Sequence, residues 1–220
     1  GNALCRRSGC HKNVISQNRT GYIKTTATIW RHLIVRIFIA IPVPEEIKGQ
    51  ASQIKSELSR LKPDIKWVEY ENYHITLKFL GEVTEKQLDE IKTKLSMVAQ
   101  ACPAFSFKTT GIGFFPNKNR PRVMWLGVKG EMSKAQFLGE RVDTYLTELG
   151  FESEKKRSFH LTLGRIRSEH NLDETVLTTD NINNGLKSFD LPVEQFFLME
   201  SRLSSSGPQY LVLEKYDLQG

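Results

Sequence analysis

"ENYHITLKFLGEV" (71–83) and "RSFHLTLGRIRS" (157–168) share one order of residues: histidine, an aliphatic, threonine, leucine. Each lies in a β-rich run, and on a strand the side chains at i and i+2 share a face. His74 and Thr76 therefore stand together while Ile75 and Leu77 point into a core. His160 and Thr162 repeat this with Leu161 and Leu163 behind them. One such pair reads as a core histidine with satisfied hydrogen bonds. Two in register, one in each half of the chain, read as a duplicated unit. Two strands related by pseudo-symmetry bring both His/Thr pairs to one cleft.

Working outward, "IVRIFIAI" (34–41) is a buried first strand ending at Pro42. Ile47, Ala51, Ile54, Leu58 and Leu61 recur at helical spacing behind Glu45 and Glu46, which suit a helix N-terminus, and Pro63 closes that helix. Residues 73–80 form the first motif strand, ending at Gly81. Thr84 and Gln87 make a capping box ahead of Leu88, Ile91, Leu95 and Val98. Strands at 104–115 and 122–129 flank the turn "PNKNRP". A third helix carries Ala135, Leu138, Val142, Tyr145 and Leu149 and stops at Gly150. After the second motif strand (159–167) and a polar stretch, residues 191–203 and 209–218 form a closing hairpin across "SSSGP". Several neighbouring strands have links too short for parallel crossovers, so the fold class is α+β with antiparallel sheets.

Charge narrows the function. Of 31 basic residues, six (Arg6, Arg7, Lys12, Arg19, Lys24, Arg31) lie in residues 1–33, which hold no acidic residue. The remaining 25 equal the 25 acidic residues, so the body at 34–220 is neutral. The net charge of +6 belongs to a basic leader or an upstream extension, expected to lie outside the fold. It is poor evidence for broad nucleic-acid binding by the domain. Arg36 interrupts the short apolar run after the leader, which argues against a signal peptide and against a membrane span. Three cysteines (Cys5, Cys10, Cys102) make no disulfide framework, and Cys5, Cys10 and His11 lack a fourth zinc ligand. The expected setting is reducing and cytoplasmic.

Paired imidazoles suit proton transfer in both directions, one taking a proton while the other delivers one. Threonine hydroxyls can donate to phosphate oxygens where charge gathers in the transition state. No carboxylate cluster at metal-ligand spacing accompanies them, so neither metal nor other cofactor is expected. A strained five-membered cyclic phosphate is a diester that such a site can open unaided, whereas a stable diester calls for metal help.

At these residues the chain resembles the two-histidine phosphoesterase superfamily, and within it the RNA 2′,3′-cyclic phosphodiesterase (2′-5′ RNA ligase) family. "RIFIAIPVPEEIK" is similar to the family's opening strand and helix, "HITLKFLGEV" to its first motif and "GIGFFPNKNRPRVMWLGV" to its middle hairpin. "HLTLGRIR" is similar to its second motif and "LMESRLSSSGPQYLVLEKYDL" to its closing segment. Phe159 stands where members carry Pro before the second histidine. The resemblance implies a bilobal, duplicated α+β fold over residues 34–220, with outer helices and both motifs on the floor of a cleft. It implies hydrolysis of RNA or nucleoside 2′,3′-cyclic phosphates to 2′-phosphates, with 2′-5′ ligation in some members.

On this reading His74 and His160 are catalytic, His160 activating water and His74 protonating the departing 3′ oxygen, though pseudo-symmetry leaves the roles interchangeable. Thr76 and Thr162 hold the phosphate. Arg165 is a phosphate or ribose candidate that an unbroken strand would turn to the opposite face. Arg122, Phe115 and Tyr210 are further substrate candidates, the aromatics by stacking. The expected partners are RNA ends or small cyclic nucleotides, acted on by a monomer. A module on the same fold that binds a nucleotide or 2′-5′ oligonucleotide without turnover is the alternative, as is a cyclic phosphate of an ADP-ribose derivative as substrate.

Overall fold

The computed structural model describes residues 34–205 and 207–220. The basic leader at 1–33, with Cys5, Cys10 and His11, lies outside the described residues. β1 (Ile34–Pro42) sends Ile37, Ile39 and Ile41 inward, and α1 (Glu45–Ser59) meets them with Ile47, Ala51, Ile54 and Leu58. A short β2 (Ile65–Trp67) and one 3₁₀ turn (Tyr70–Asn72), neither expected from the sequence, lead to β3 (His74–Thr84). That strand runs beyond Gly81, which takes a positive φ of 78° closed to most side chains, and so does not stop there as expected. α2 (Glu85–Ala101) opens with the expected capping box. The Gln87 N–H donates to Thr84 Oγ1 at 3.3 Å, and the Thr84 N–H donates to Gln87 Oε1 at 3.0 Å.

β4 (Phe105–Phe115) and β5 (Val123–Gly130) form the expected hairpin, followed by α3 (Met132–Thr147) and β6 (His160–Ile166). The polar stretch after β6 is in fact a helix, α4 (Leu172–Gly185). Its buried positions are Leu172, Thr175 and Thr179, the threonine hydroxyls donating to the Asn171 and Val176 carbonyls at 2.6 Å each. A helix whose inward face is largely threonine shows no apolar stripe. The single strand expected at 191–203 is two. β7 (Asp190–Val193) pairs with β4, and β8 (Gln195–Ser204) crosses to pair with β1 and with β9 (Gly207–Asp217).

All pairings are antiparallel, in the order β7-β4-β5-β6-β3-β1-β8-β9, with β2 on β6. The sheet curls, with the apolar core formed between one face and the helices. Its two halves, β7-β4-β5-β6 and β3-β1-β8-β9, meet where Ile75 of β3 pairs with Leu161 of β6. Each of these residues follows a motif histidine by one position. Among the described residues no helix is long and apolar enough to cross a membrane.

Candidate active site

The Ile75–Leu161 pair decides what faces what. Continuing that antiparallel register by one step each way sets His74 across from Thr162 and His160 across from Thr76. All four side chains leave the face opposite the core and are half-buried, while Ile75, Leu77, Leu161 and Leu163 are buried beneath them. The structure thus brings both sequence motifs to one place.

Each imidazole is held in the same way. His74 Nδ1 lies 2.7 Å from the Asn72 carbonyl and His160 Nδ1 lies 3.0 Å from the Ser158 carbonyl, in each case two residues upstream. A carbonyl only accepts, so Nδ1 carries the hydrogen and Nε2 is left with its lone pair. His74 Nε2 takes a hydrogen bond from Thr76 Oγ1 at 3.0 Å. Burial pushes the His74 imidazole down to about 4, against a lift from the Asn72 carbonyl, and the nearby His160 adds a little to the depression. Burial also lowers His160, again opposed by its carbonyl partner. With Nε2 as the titrating nitrogen of each ring, one imidazole can take a proton while the other, once protonated, delivers one.

Arg165 shows how the sheet corrects a simple alternation. Met124 pairs with Gly164 and Trp125 with Thr162, leaving Leu163 as an extra residue. Ile39 pairs with Lys78 and Ala40 with Thr76, leaving Leu77 extra at the same place after the other histidine. Each bulge shifts the alternation by one. Arg165 is thereby returned to the histidine face, not the opposite one an unbroken strand would give it. Its counterpart in β3 is Phe79, which is 68% exposed.

Aromatic rings wall both histidines. Phe115 meets His160 edge-on at 4.9 Å, with Trp125 at 6.2 Å from His160 and 5.1 Å from Phe115. Tyr210 meets His74 edge-on at 5.4 Å, and Phe38 lies 5.0 Å from His74, 4.9 Å from Tyr210 and 6.0 Å from Phe79. Burial raises the Tyr210 hydroxyl, while Arg165 and Arg36 pull it the other way, so both guanidinium groups act near it. Phe38, Phe79 and Trp125 escaped the sequence reading. The signal for Trp125 was the second glycine in "GIGFF": a Cβ on Gly113 would come within 2.2 Å of the indole. Arg122 is exposed, and its backbone does the visible work, its N–H donating to Phe115 and its carbonyl accepting from Ile166. Phe159, in the place of the family's Pro, is buried against Phe107 at 5.6 Å.

Among the described residues no three His, Cys, Asp or Glu side chains converge as metal ligands. A hollow of about 570 Å³ between α1 and α4, lined by Gln50, Glu57, Asn181 and Lys187, includes none of the site residues.

Known proteins share the sequence and the fold over most of this chain. The family described as "LigT like Phosphoesterase" matches twice, over residues 41–125 and 129–210, each stretch containing one histidine motif. The RNA 2′,3′-cyclic phosphodiesterase of Thermotoga maritima is 37% identical over 186 residues, covering 84% of this chain and 97% of that protein. A crystal structure from Thermus thermophilus superposes with a TM-score of 0.68 at 28% identity, covering 84% of this chain and 98% of that one. Escherichia coli LigT complexed with 3′-AMP shares the fold at a TM-score of 0.63 and 22% identity, covering 85% and 99%. With both motifs inside the matched residues and nearly the full length of its relatives spanned, the chain belongs to the LigT-like phosphoesterase family.

Proposed function

We propose that this chain hydrolyses RNA or nucleoside 2′,3′-cyclic phosphates, opening the ring to a 2′-phosphate. The observation that carries the reading is the mirrored pair of imidazoles, each anchored through Nδ1 to a carbonyl and each presenting Nε2 on one face beside a threonine. Relatives from Thermotoga maritima and Archaeoglobus fulgidus, each 37% identical to this chain, bear the name of that activity.

The step balances on these groups alone. Water attacks phosphorus and gives its proton to one imidazole, the P–O3′ bond breaks, and the departing O3′ takes a proton from the other. His160, the more open of the two, meets the incoming water. His74, set deeper, is the one whose proton is most strongly retained once an anionic phosphate lies against it, because charges interact more strongly away from solvent. Thr162 and Thr76 donate to the non-bridging oxygens, and Arg165 closes the phosphate side. Phe115, Trp125, Phe79 and Tyr210 offer surfaces for a base. The neutral body suits RNA ends and small cyclic nucleotides better than long RNA held through its backbone.

The test is incubation of the protein with 2′,3′-cyclic and 3′,5′-cyclic nucleotides in EDTA, with products resolved by chromatography. The expected product is a 2′-phosphate from the 2′,3′-cyclic substrate alone. His74→Ala and His160→Ala each lower kcat by about 10²–10⁴-fold, the usual contribution of a general acid or base. Saturable nucleotide binding without turnover would instead make the cleft a recognition site, and loss of turnover in EDTA would overturn the metal-free route.

A further inference from the structure

Lys78 follows the bulged residue Leu77, and the bulge turns it away from the histidine face into the interior, where it is 3% exposed. A buried ammonium is costly unless it is paired and hydrogen-bonded. Its Nζ donates to Asp143 Oδ1 and to the Glu152 carbonyl, both at 2.6 Å. Asp143 lies on the inward face of α3 between Val142 and Leu146. Its second oxygen accepts from Arg157 Nη2 at 2.9 Å and from the Glu154 N–H at 3.1 Å. Arg157 Nε donates to the carbonyl of the bulged Leu77 at 3.3 Å, with Glu154 at 3.6 Å as its other acidic neighbour. Gly139 on α3 makes the room, since a Cβ there would lie 2.3 Å from Arg157 Nη1.

One carboxylate thus holds both motifs. Through Lys78 and Arg157 it secures the bulge that follows His74 and Thr76. Through Arg157 and Glu154 it secures residues 152–157, a segment without regular secondary structure that delivers Ser158 and then His160. The Ser158 carbonyl is the group that orients the His160 ring. The two half-sheets pair beside the histidines, Ile75 with Leu161. That pair sets the register of the two motifs, and the orientation of each ring is left to the groups that hold it. Stability alone is a weak reason for such a cluster, because buried ion pairs are often replaced by apolar residues of similar volume at no loss of stability.

We propose that the buried Lys78–Asp143–Arg157 cluster positions the two catalytic histidines against each other, with Asp143 as the positioning residue at its centre. This rests on the hydrolytic reading of the site. It acts through the Leu77 carbonyl and the Ser158 carbonyl, and none of its members touches the substrate.

The test replaces the whole cluster by apolar residues, Lys78→Met with Asp143→Leu and Arg157→Met, so that no charge is left buried alone. The expected variant unfolds at a temperature no lower than the parent. Its kcat falls by about 10–100-fold with KM within about threefold, the cost of a small misplacement of reacting groups. Its imidazole ¹⁵N shifts show His160 losing the single Nδ1–H form. A folded variant with unchanged kcat and unchanged His160 shifts would overturn the proposal. If the triple variant does not fold, Gly139→Ala decides. Helices favour alanine over glycine, so the fold is kept while the new methyl displaces the Arg157 guanidinium. The expected result is a roughly tenfold fall in kcat with altered His160 shifts, and parental values for both would refute the proposal. If the parent itself turns over no 2′,3′-cyclic nucleotide, the hydrolytic reading fails, and the ¹⁵N shifts still decide whether the cluster positions His160.

Discussion

Burial sets how the two imidazoles meet a proton. His74 is pushed down to about 4 and His160 lies below its ordinary 6.5, so both are neutral at pH 7 in the free protein. One of them must gain a proton when an anionic phosphate arrives, since a nearby negative charge favours imidazolium. The ratio kcat/KM reports the free enzyme, and kcat reports the complex. With both free values below 6.5, the kcat/KM bell is expected on the acid side of 6.5, falling as pH rises toward 8. The kcat bell is expected at higher pH, raised by the bound phosphate. Rate profiles between pH 4 and 9 check this, and a kcat/KM optimum above pH 7 would contradict the depressed imidazoles. His74, Thr76, His160 and Thr162 were legible in the sequence because alternation along a strand is local. Phe38 and Trp125 were not, because their approach to the histidines depends on which residue of a neighbouring strand lies opposite.

At the level of elements, what the sequence hides is register. The equivalent bulges at Leu77 and Leu163 decide that Phe79 and Arg165 share the histidine face, and no local signal in "HITLKF" or "HLTLGR" announces an extra residue. Counting from His160 by twos sends Arg165 to the wrong side. The capping box of α2 was readable because Thr84 and Gln87 satisfy each other within one turn. α4 was not, because Thr175 and Thr179 occupy inward positions that a hydrophobic pattern fills with leucine or valine. The break at Glu194, which sends β7 and β8 to opposite halves of the sheet, also depends on distant partners. The bulge in β6 carries a specific expectation. Arg165→Ala should raise KM by about 10-fold or more, the value of a charge-assisted hydrogen bond of about 1.5–3 kcal/mol, with kcat within a few-fold of the parent. Steady-state kinetics on a 2′,3′-cyclic nucleotide measures this, and an unchanged KM would return Arg165 to the status of a solvated surface charge.

For the whole molecule, the chemistry of the site and the stability of the fold draw on the same groups. The histidines flank the pair that joins the two half-sheets, and Asp143 ties helix α3 to both motifs. In the unfolded chain His74 titrates near 6.5, and in the native state near 4. Between those values the unfolded chain binds the extra proton, so its population gains as pH falls. The contribution of His74 is therefore complete above 6.5 and disappears as pH drops toward 4. It amounts to on the order of 3 kcal/mol at about 1.4 kcal/mol per unit. His160 adds loss of the same sign below 6.5. Burial alone would raise the Asp143 carboxyl, but the hydrogen bonds from Lys78, Arg157 and the Glu154 N–H outweigh it and hold the group below its ordinary 3.8. That contribution survives the histidine window and is lost only as pH falls below 3.8. Denaturant unfolding from pH 8 to 3 should thus show two separable losses, and His74→Gln should remove most of the first while leaving the second. A flat profile between pH 6.5 and 4.5 in the parent would mean that His74 meets solvent in the native state, and with it the depressed imidazole on which the acid-side kcat/KM bell depends would fall.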